Sequence, residues 1–127
     1  MRAVDTNVLV RLVTGDDPAQ TQAAKKFIVG GVWVSHLVLA ETAWVLESVY
    51  RRKPAQIYAA VEMFLDNPDL AIQEPDVVLA ALAQLGARPA IDFGDCLILE
   101  IARKAGHGPV GTFDRAFAKH PGVVRIS

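Results

Sequence analysis

Short apolar runs alternate with longer amphipathic segments along the whole chain. The longer segments carry apolar residues three and four positions apart, which is typical of helices that bury one face. The runs between them are two to four residues long and rich in branched apolar side chains, as in buried strands. The pattern therefore predicts five short strands, at residues 3–4, 32–34, 70–72, 110–112 and 123–126.

Residues that favour helix ends indicate where the helices begin and end. Pro18 and Pro75 suit a first helical turn, and Asp17 precedes Pro18 as an N-cap. The glycines at 30–31 and 106 follow helical patterns and end them. The predicted helices are 7–13 (with Thr6 as N-cap), 18–29, 37–50, 54–67, 75–85, 93–104 and 114–119. Strands that alternate with helices predict an α/β fold around a parallel sheet.

The composition predicts a globular chain that forms a single domain over residues 1–127. Hydrophobic residues are 52% of the chain and charged residues 21%, which excludes a disordered protein. The formal net charge is −1, so the whole molecule has no attraction for nucleic acid. A polyanionic substrate would have to be held by a local basic patch or by a metal ion.

Three features of the sequence indicate a soluble protein of a reducing compartment. Cys96 is the single cysteine, so no internal disulfide is formed. Asp5 and Asn7 interrupt the N-terminus before a signal peptide could form its apolar core. The apolar stretch over residues 29–50 contains ionisable side chains and does not resemble a membrane span. We expect a cytoplasmic location.

Two acids lie at or just beyond the carboxyl ends of predicted strands. Asp5 comes after the first strand, and Asp114 after the strand at 110–112. Ligands of open α/β sheets bind beyond the carboxyl ends of the strands, which makes both acids candidates for a site. The alternative is local, since either side chain could cap the following turn or helix by accepting backbone hydrogen bonds.

Glu41 interrupts an apolar stripe on its predicted helix. The stripe contains Leu37, Val38, Trp44 and Val45, and residues three or four apart share a helix face. A carboxylate on such a face is rarely buried without a partner. Glu41 is therefore either a ligand of a shared site or a glutamate that reaches solvent or an ion pair. We expect Trp44 to belong to the core.

Asp92 and Asp95 lie three residues apart at the start of one helix. Asp92 suits the N-cap position, and the helix dipole favours an acid such as Asp95 in the first turn. The alternative is that this helix end directs Asp95 towards a cation. We favour Asp95 for that role, because it lies one turn from Ile98 and Leu99 and can face inward.

Acids that converge at one edge of a sheet would repel each other unless a cation neutralised them. Magnesium prefers oxygen ligands and binds through a few carboxylates, water and substrate phosphate. Such a site polarises a phosphoryl oxygen and activates a water molecule. The three histidines lack the spacing of zinc ligands, and we expect them in loops. The sequence contains neither a phosphate-binding glycine loop nor a nucleophile elbow.

Four stretches, "AVDTNVLVRLV", "VSHLVLAETAWVL", "DFGDCLILEIAR" and "VGTFDRAF", resemble the ordered acidic motifs of PIN domains. More narrowly, they resemble the VapC type of toxin ribonuclease. The resemblance spans nearly the whole chain and implies a three-layer α/β fold with a central parallel five-stranded sheet flanked by helices. It also implies an endoribonuclease that depends on Mg²⁺ or Mn²⁺, a homodimer, and a cognate VapB-like antitoxin encoded beside it.

The resemblance also implies roles for individual residues. The metal-binding and catalytic acids would be Asp5, Glu41, Asp95 and Asp114. Asn7 and Thr112 would orient these acids and the bound water. Asp92 would either cap its helix or assist the metal. Arg115, which adjoins Asp114, is the expected phosphate contact, whereas Arg11, Arg88 and the basic residues 51–53 are expected to be ordinary surface charges.

The implied antitoxin would bind through a C-terminal segment that carries apolar residues and at least one Arg or Lys. The apolar residues would pack against the helix that bears Leu37, Trp44 and Val45, as in helix-in-groove recognition. The basic side chain would pair with the acids and exclude the metal.

Four other functions compete with a toxin. A haloacid-dehalogenase-type phosphatase also begins with an aspartate after its first strand, but requires a second one where this chain has Asn7. A response-regulator receiver has a similar length and order of elements, but its acidic pair and its terminal lysine are not evident. The remaining two are a PIN-domain nuclease with a housekeeping role and no antitoxin, and an inactive binding domain, which the intact acids disfavour.

Overall fold

Five strands and seven helices alternate along the computed structural model, which describes residues 1–127. The strands are β1 (Arg2–Ala3), β2 (Val32–Val34), β3 (Leu70–Ile72), β4 (Val110–Thr112) and β5 (Val123–Arg125). The helices are α1 (Thr6–Thr14), α2 (Pro18–Ile28), α3 (His36–Ser48), α4 (Pro54–Asp66), α5 (Pro75–Ala87), α6 (Phe93–Ala105) and α7 (Arg115–Ala118). Every predicted element is present, and its ends differ from the prediction by at most two residues.

All strand pairs are parallel, as the alternation of strands and helices predicts. β2 lies between β1 and β3, and its Trp33 is opposite Ala3 on one side and Ala71 on the other. β4 pairs with β5, with Gly111 opposite Val124. Within each sheet, parallel pairing directs the carboxyl ends of neighbouring strands to the same edge. Asp5 follows β1 at this edge of the three-stranded sheet, and Asp114 follows β4 at this edge of the two-stranded sheet.

The prediction of one central five-stranded sheet is not fully confirmed, because the hydrogen bonds join the five parallel strands into a three-stranded and a two-stranded sheet. The length of β1 offers a physical reason. The strand has only two residues before α1 begins at Thr6, and the Val4 N–H that follows it donates to the Trp33 carbonyl at 3.3 Å. A strand this short presents few backbone groups to a second neighbour on its other edge.

The core lies between the strands and the surrounding helices. Val32 and Val34 of β2 are fully buried, whereas Trp33 between them is 40% exposed, which is the alternation expected of a strand. Helices α5 and α6 pack against each other through buried side chains that include Val78 and Leu97. None of the helices is both long and apolar enough to cross a membrane.

The expectation that all three histidines lie in loops is wrong for His36. His36 is the first residue of α3 and is buried, while His120 follows α7 and is also buried. Nε2 of His36 and both ring nitrogens of His120 have no hydrogen-bond partner. A neutral imidazole is intermediate in its tendency to be buried, so its position cannot be read from a polar pattern alone.

Candidate active site

Asp5 occupies the N-cap position of α1, and the helix begins at Thr6. The sequence pattern predicted Thr6 as the N-cap, and this prediction is wrong. The backbone of Asp5 is extended, but its side chain accepts no capping hydrogen bond. Because the carboxylate is exposed and not used by the helix, the local capping role considered for Asp5 is absent from this structure. The carboxylate is free to bind a ligand.

A hydrogen bond joins the start of α1 to Glu41. The hydroxyl of Thr6 donates to Oε2 of Glu41 at 2.9 Å, which connects α1 with the middle of α3. Glu41 is exposed and takes part in none of the ion pairs. Glu41 therefore lies beside the residue that follows Asp5, and its second carboxylate oxygen remains available.

The apolar stripe that contains Glu41 faces the core only in part, since Val38 packs against the core whereas Leu37 and Trp44 do not. Leu37 and Trp44 are 67% and 66% exposed, so the prediction of a buried Trp44 is wrong. The buried face of α3 is formed instead by Leu39, Ala43 and Leu46. Because α3 carries apolar residues on more than one face, its pattern does not distinguish the face that packs inward from the face that remains open.

Asp92 and Asp95 have different environments at the start of α6. Asp92 is the exposed N-cap, and its Oδ1 accepts the N–H of Asp95 at 2.8 Å. Asp95 lies in the first turn and is half-buried, one helical turn before the buried Leu99. The capping role predicted as one alternative for Asp92 is thus observed, and Asp95 keeps its carboxylate free.

Asp114 follows β4 and begins α7. Its Oδ1 accepts the N–H groups of Ala116 at 2.8 Å and Phe117 at 3.1 Å. Its own N–H donates to the hydroxyl of Thr112 at 3.0 Å. These bonds fix the position of the Asp114 backbone and of one carboxylate oxygen. Asn7 is exposed in the first turn of α1.

The structure brings Asp92, Asp95 and Asp114 into one electrostatic environment. The pKa of Asp95 is raised to about 6, mainly because burial disfavours its charged form. The negative charges of Asp92 and Asp114 raise this pKa further. The three acids come from two separate elements, and no basic side chain forms an ion pair with any of them.

The acids do not form a finished metal site in this structure. No group of three histidine, cysteine or acidic side chains is close enough to bind one ion together. The donors nevertheless suit a hard cation, since all of them are carboxylates and no basic side chain of the protein pairs with them. The donor chemistry thus fits Mg²⁺ or Mn²⁺.

The raised pKa predicts how the stability of the metal-free protein depends on pH. Because the folded pKa lies above the ordinary value of 3.8, ionisation of Asp95 destabilises the folded chain as the pH rises towards 6 and beyond. Asp95→Asn removes this effect. The free energy of unfolding of Asp95→Asn, relative to that of the native chain, should therefore increase as the pH rises from about 4.5 to about 7.5. The expected increase is about 1–2 kcal/mol after allowance for solvent screening.

Urea unfolding in the presence of a chelator measures this difference at the two pH values. A constant difference between Asp95→Asn and the native chain would contradict the proposed environment of Asp95. Asp69→Asn is the matched control, since Asp69 precedes β3 and lies outside the acidic group.

A groove of about 570 Å³ leads to these acids. It lies between α3 and α6, with Arg52 among its lining residues and Asp92 and Asp95 at the start of α6. Most of the lining is apolar and includes the exposed side chains of Leu37, Trp44, Ile98 and Ile101. The sequence analysis favoured the core for Trp44 and an ordinary surface charge for Arg52, so it did not predict that both residues line the groove.

Comparison with known proteins gives a match to one protein family and a match to one solved structure. The search of curated proteins found no match. The crystal structure of Mycobacterium tuberculosis VapC20, a toxin that cleaves the sarcin–ricin loop, is 22% identical over 97% of each chain, with a TM-score of 0.44. The PIN domain family matches residues 2–123, which excludes the phosphatase and receiver alternatives. This chain belongs to the PIN domain family.

Proposed function

We propose that this PIN domain is a Mg²⁺- or Mn²⁺-dependent endoribonuclease that acts in the cytoplasm as the toxin of a toxin–antitoxin pair. The observation that carries the proposal is the uncompensated group formed by Asp92, Asp95 and Asp114, in which the pKa of Asp95 is raised to about 6. Uncompensated carboxylates attract a divalent cation, and membership of the PIN domain family makes RNA the substrate class that we favour.

The proposed ligands of the metal are Asp5, Glu41, Asp95 and Asp114. When bound, the metal would supply a polarised phosphoryl oxygen and a water molecule of lowered pKa. The free carboxylate of Asp5 and the second oxygen of Glu41 are available for this role. Asp92 assists indirectly, because its cap on the Asp95 N–H holds the first turn of α6 in place.

The remaining polar residues position these acids. Thr112 holds the backbone of Asp114 through the 3.0 Å hydrogen bond, and α7 holds one oxygen of its carboxylate. Thr6 restrains Glu41. We propose that Asn7, in the first turn of α1, orients the attacking water, and that Arg115 beside Asp114 contacts an RNA phosphate. Fixed polar groups contribute most when they are oriented before the reaction.

The groove between α3 and α6 is the proposed site for the antitoxin. Its apolar lining suits the anchors of an amphipathic segment, and Asp92 and Asp95 lie where a basic side chain of that segment could pair with them. This arrangement would block the acids and exclude the metal in a single binding event. The family resemblance also leads us to propose a homodimer, which light scattering tests by comparison with the 13.7 kDa chain.

Leu37→Asp should weaken binding of the antitoxin at least about tenfold, because a charge in the groove opposes burial of an apolar anchor. Leu79→Asp is the matched control. Leu79 is 57% exposed, similar to Leu37, but it does not line the groove. Titration of each variant with the protein encoded by the neighbouring short gene measures the effect. Equal affinity of the two variants would contradict the placement of the antitoxin in this groove.

Expression in the native host tests the toxin function. The native chain should arrest growth and produce new RNA 5′ ends, and co-expression of the neighbouring gene should relieve both effects. Asp95→Asn should be harmless at the same protein level. If the native chain cleaves RNA but is harmless when expressed alone, and no small partner co-purifies, a housekeeping PIN nuclease is the better interpretation.

A further inference from the structure

The turn between α3 and α4 carries three consecutive basic residues, Arg51, Arg52 and Lys53. Arg52 lines the same groove as Asp92 and Asp95. The turn therefore places positive charge on the surface that leads to the acidic group. This location matters because the net charge of the chain is −1, and RNA has to be attracted by a local patch.

The three cations are not neutralised by the protein. Its ion pairs use Arg11, Arg103 and Lys104, and none involves the turn. Glu47 also lines the groove but is not within ion-pair distance of Arg52. Arg51 and Lys53 are exposed and Arg52 is half-buried, so all three charges remain available to an external anion.

The backbone of the turn is held in a defined shape. Arg51 has a φ of 53°, a left-handed conformation that glycine adopts with less strain. The N–H of Arg52 donates to the Leu46 carbonyl at 2.9 Å, and the N–H of Lys53 donates to Oε1 of Gln56 at 2.8 Å. A strained backbone that carries a long cationic side chain is the kind of outlier from which a functional role is inferred.

We propose that the basic turn of residues 51–53 binds phosphates of the single-stranded RNA that flank the cleaved bond. The inference rests on the proposed ribonuclease function. The turn acts on binding and on the path of the RNA along the groove, and it takes no part in the chemical step. Helix α4 begins at Pro54, directly after the turn. The helix dipole makes its N-terminus partly positive, which adds to the attraction for phosphate.

The dependence of RNA affinity on salt tests this role. The slope of log K against log salt is negative, and each lost phosphate contact reduces its magnitude by about 0.7 for a single strand. The turn variant is a double variant that carries both Arg51→Gln and Arg52→Gln. The matched control is Lys25→Gln with Lys26→Gln, which removes two exposed and unpaired charges from α2. Fluorescence anisotropy of a labelled single-stranded RNA is measured with Asp95→Asn in all chains, so that the RNA is not cut.

The turn variant should reduce the magnitude of the slope by about 1.4, which corresponds to two lost contacts, and the α2 control should leave the slope unchanged. In chains that retain Asp95, the turn variant should raise KM and leave kcat unchanged. A double variant with Arg51→Lys and Arg52→Lys should restore most of the magnitude of the slope. Because glutamine has the same backbone preference as arginine at these positions, loss of folding is not expected, and circular dichroism checks this.

Equal slopes for the two variants would overturn the inference, as would a turn variant that lowers kcat alone. A turn variant that binds RNA normally but no longer binds the antitoxin would assign the turn to a protein partner and would also overturn it. In each case the native chain would still cleave RNA, and the proposed function would stand. If the native chain neither binds nor cleaves RNA, the proposed function itself fails.

Discussion

Asp95→Asn should lower kcat for RNA cleavage about a hundredfold or more without unfolding the chain. Asp95 is half-buried and oriented by α6, so its carboxylate is a preorganised electrostatic group. Removal of one such group typically costs two to three orders of magnitude in rate. Asparagine has nearly the same shape but lacks the negative charge that would hold the metal. Single-turnover cleavage at saturating metal measures the effect, and circular dichroism verifies the fold.

Asp92→Asn is the matched control for this prediction. Asn caps a helix about as well as Asp, so the bond to the Asp95 N–H should be retained. We expect a loss in kcat of less than about tenfold, in contrast to that of Asp95→Asn. An inactive Asp92→Asn with an active Asp95→Asn would show that the roles of the two acids are exchanged.

The positions of the acids follow from local rules that act on the sequence. Short strands end two residues before Asp5 and Asp114, so each acid follows the carboxyl end of a strand in its own parallel sheet. The start of α6 at Phe93 was predictable, because Asp92 is a strong N-cap. These features depend on neighbours within a few residues, and for that reason the pattern alone predicts them.

Features that depend on distant parts of the chain were not predictable in the same way. The pKa of Asp95 reflects first its burial in the tertiary fold and then the charges of Asp92 and of Asp114, which lies on a different element. The exposure of Trp44 depends on which face of α3 packs inward, and apolar residues on several faces leave that choice to the tertiary fold. The division of the strands into two sheets is related to the shortness of β1. The hydrophobic pattern predicted this strand at residues 3–4, one residue later than the observed Arg2–Ala3.

Removal of divalent metal should abolish RNA cleavage altogether. Without a cation, the group around Asp95 lacks the ion that would polarise a phosphoryl oxygen and lower the pKa of a bound water, and its uncompensated carboxylates repel one another. No alternative nucleophile is available nearby, because Cys96 is fully buried and burial raises its pKa to about 12. Metal removal should thus have a larger effect than any single substitution.

Cleavage of a labelled RNA by the purified chain, in a chelator and after metal is restored, is the decisive measurement. Asp95→Asn, purified in parallel, detects trace contamination by other nucleases. We expect cleavage with Mg²⁺ or Mn²⁺, none in the chelator, recovery when excess metal is added, and background levels for Asp95→Asn throughout. Undiminished cleavage by the native chain in the chelator, with Asp95→Asn at background, would contradict a metal-dependent ribonuclease.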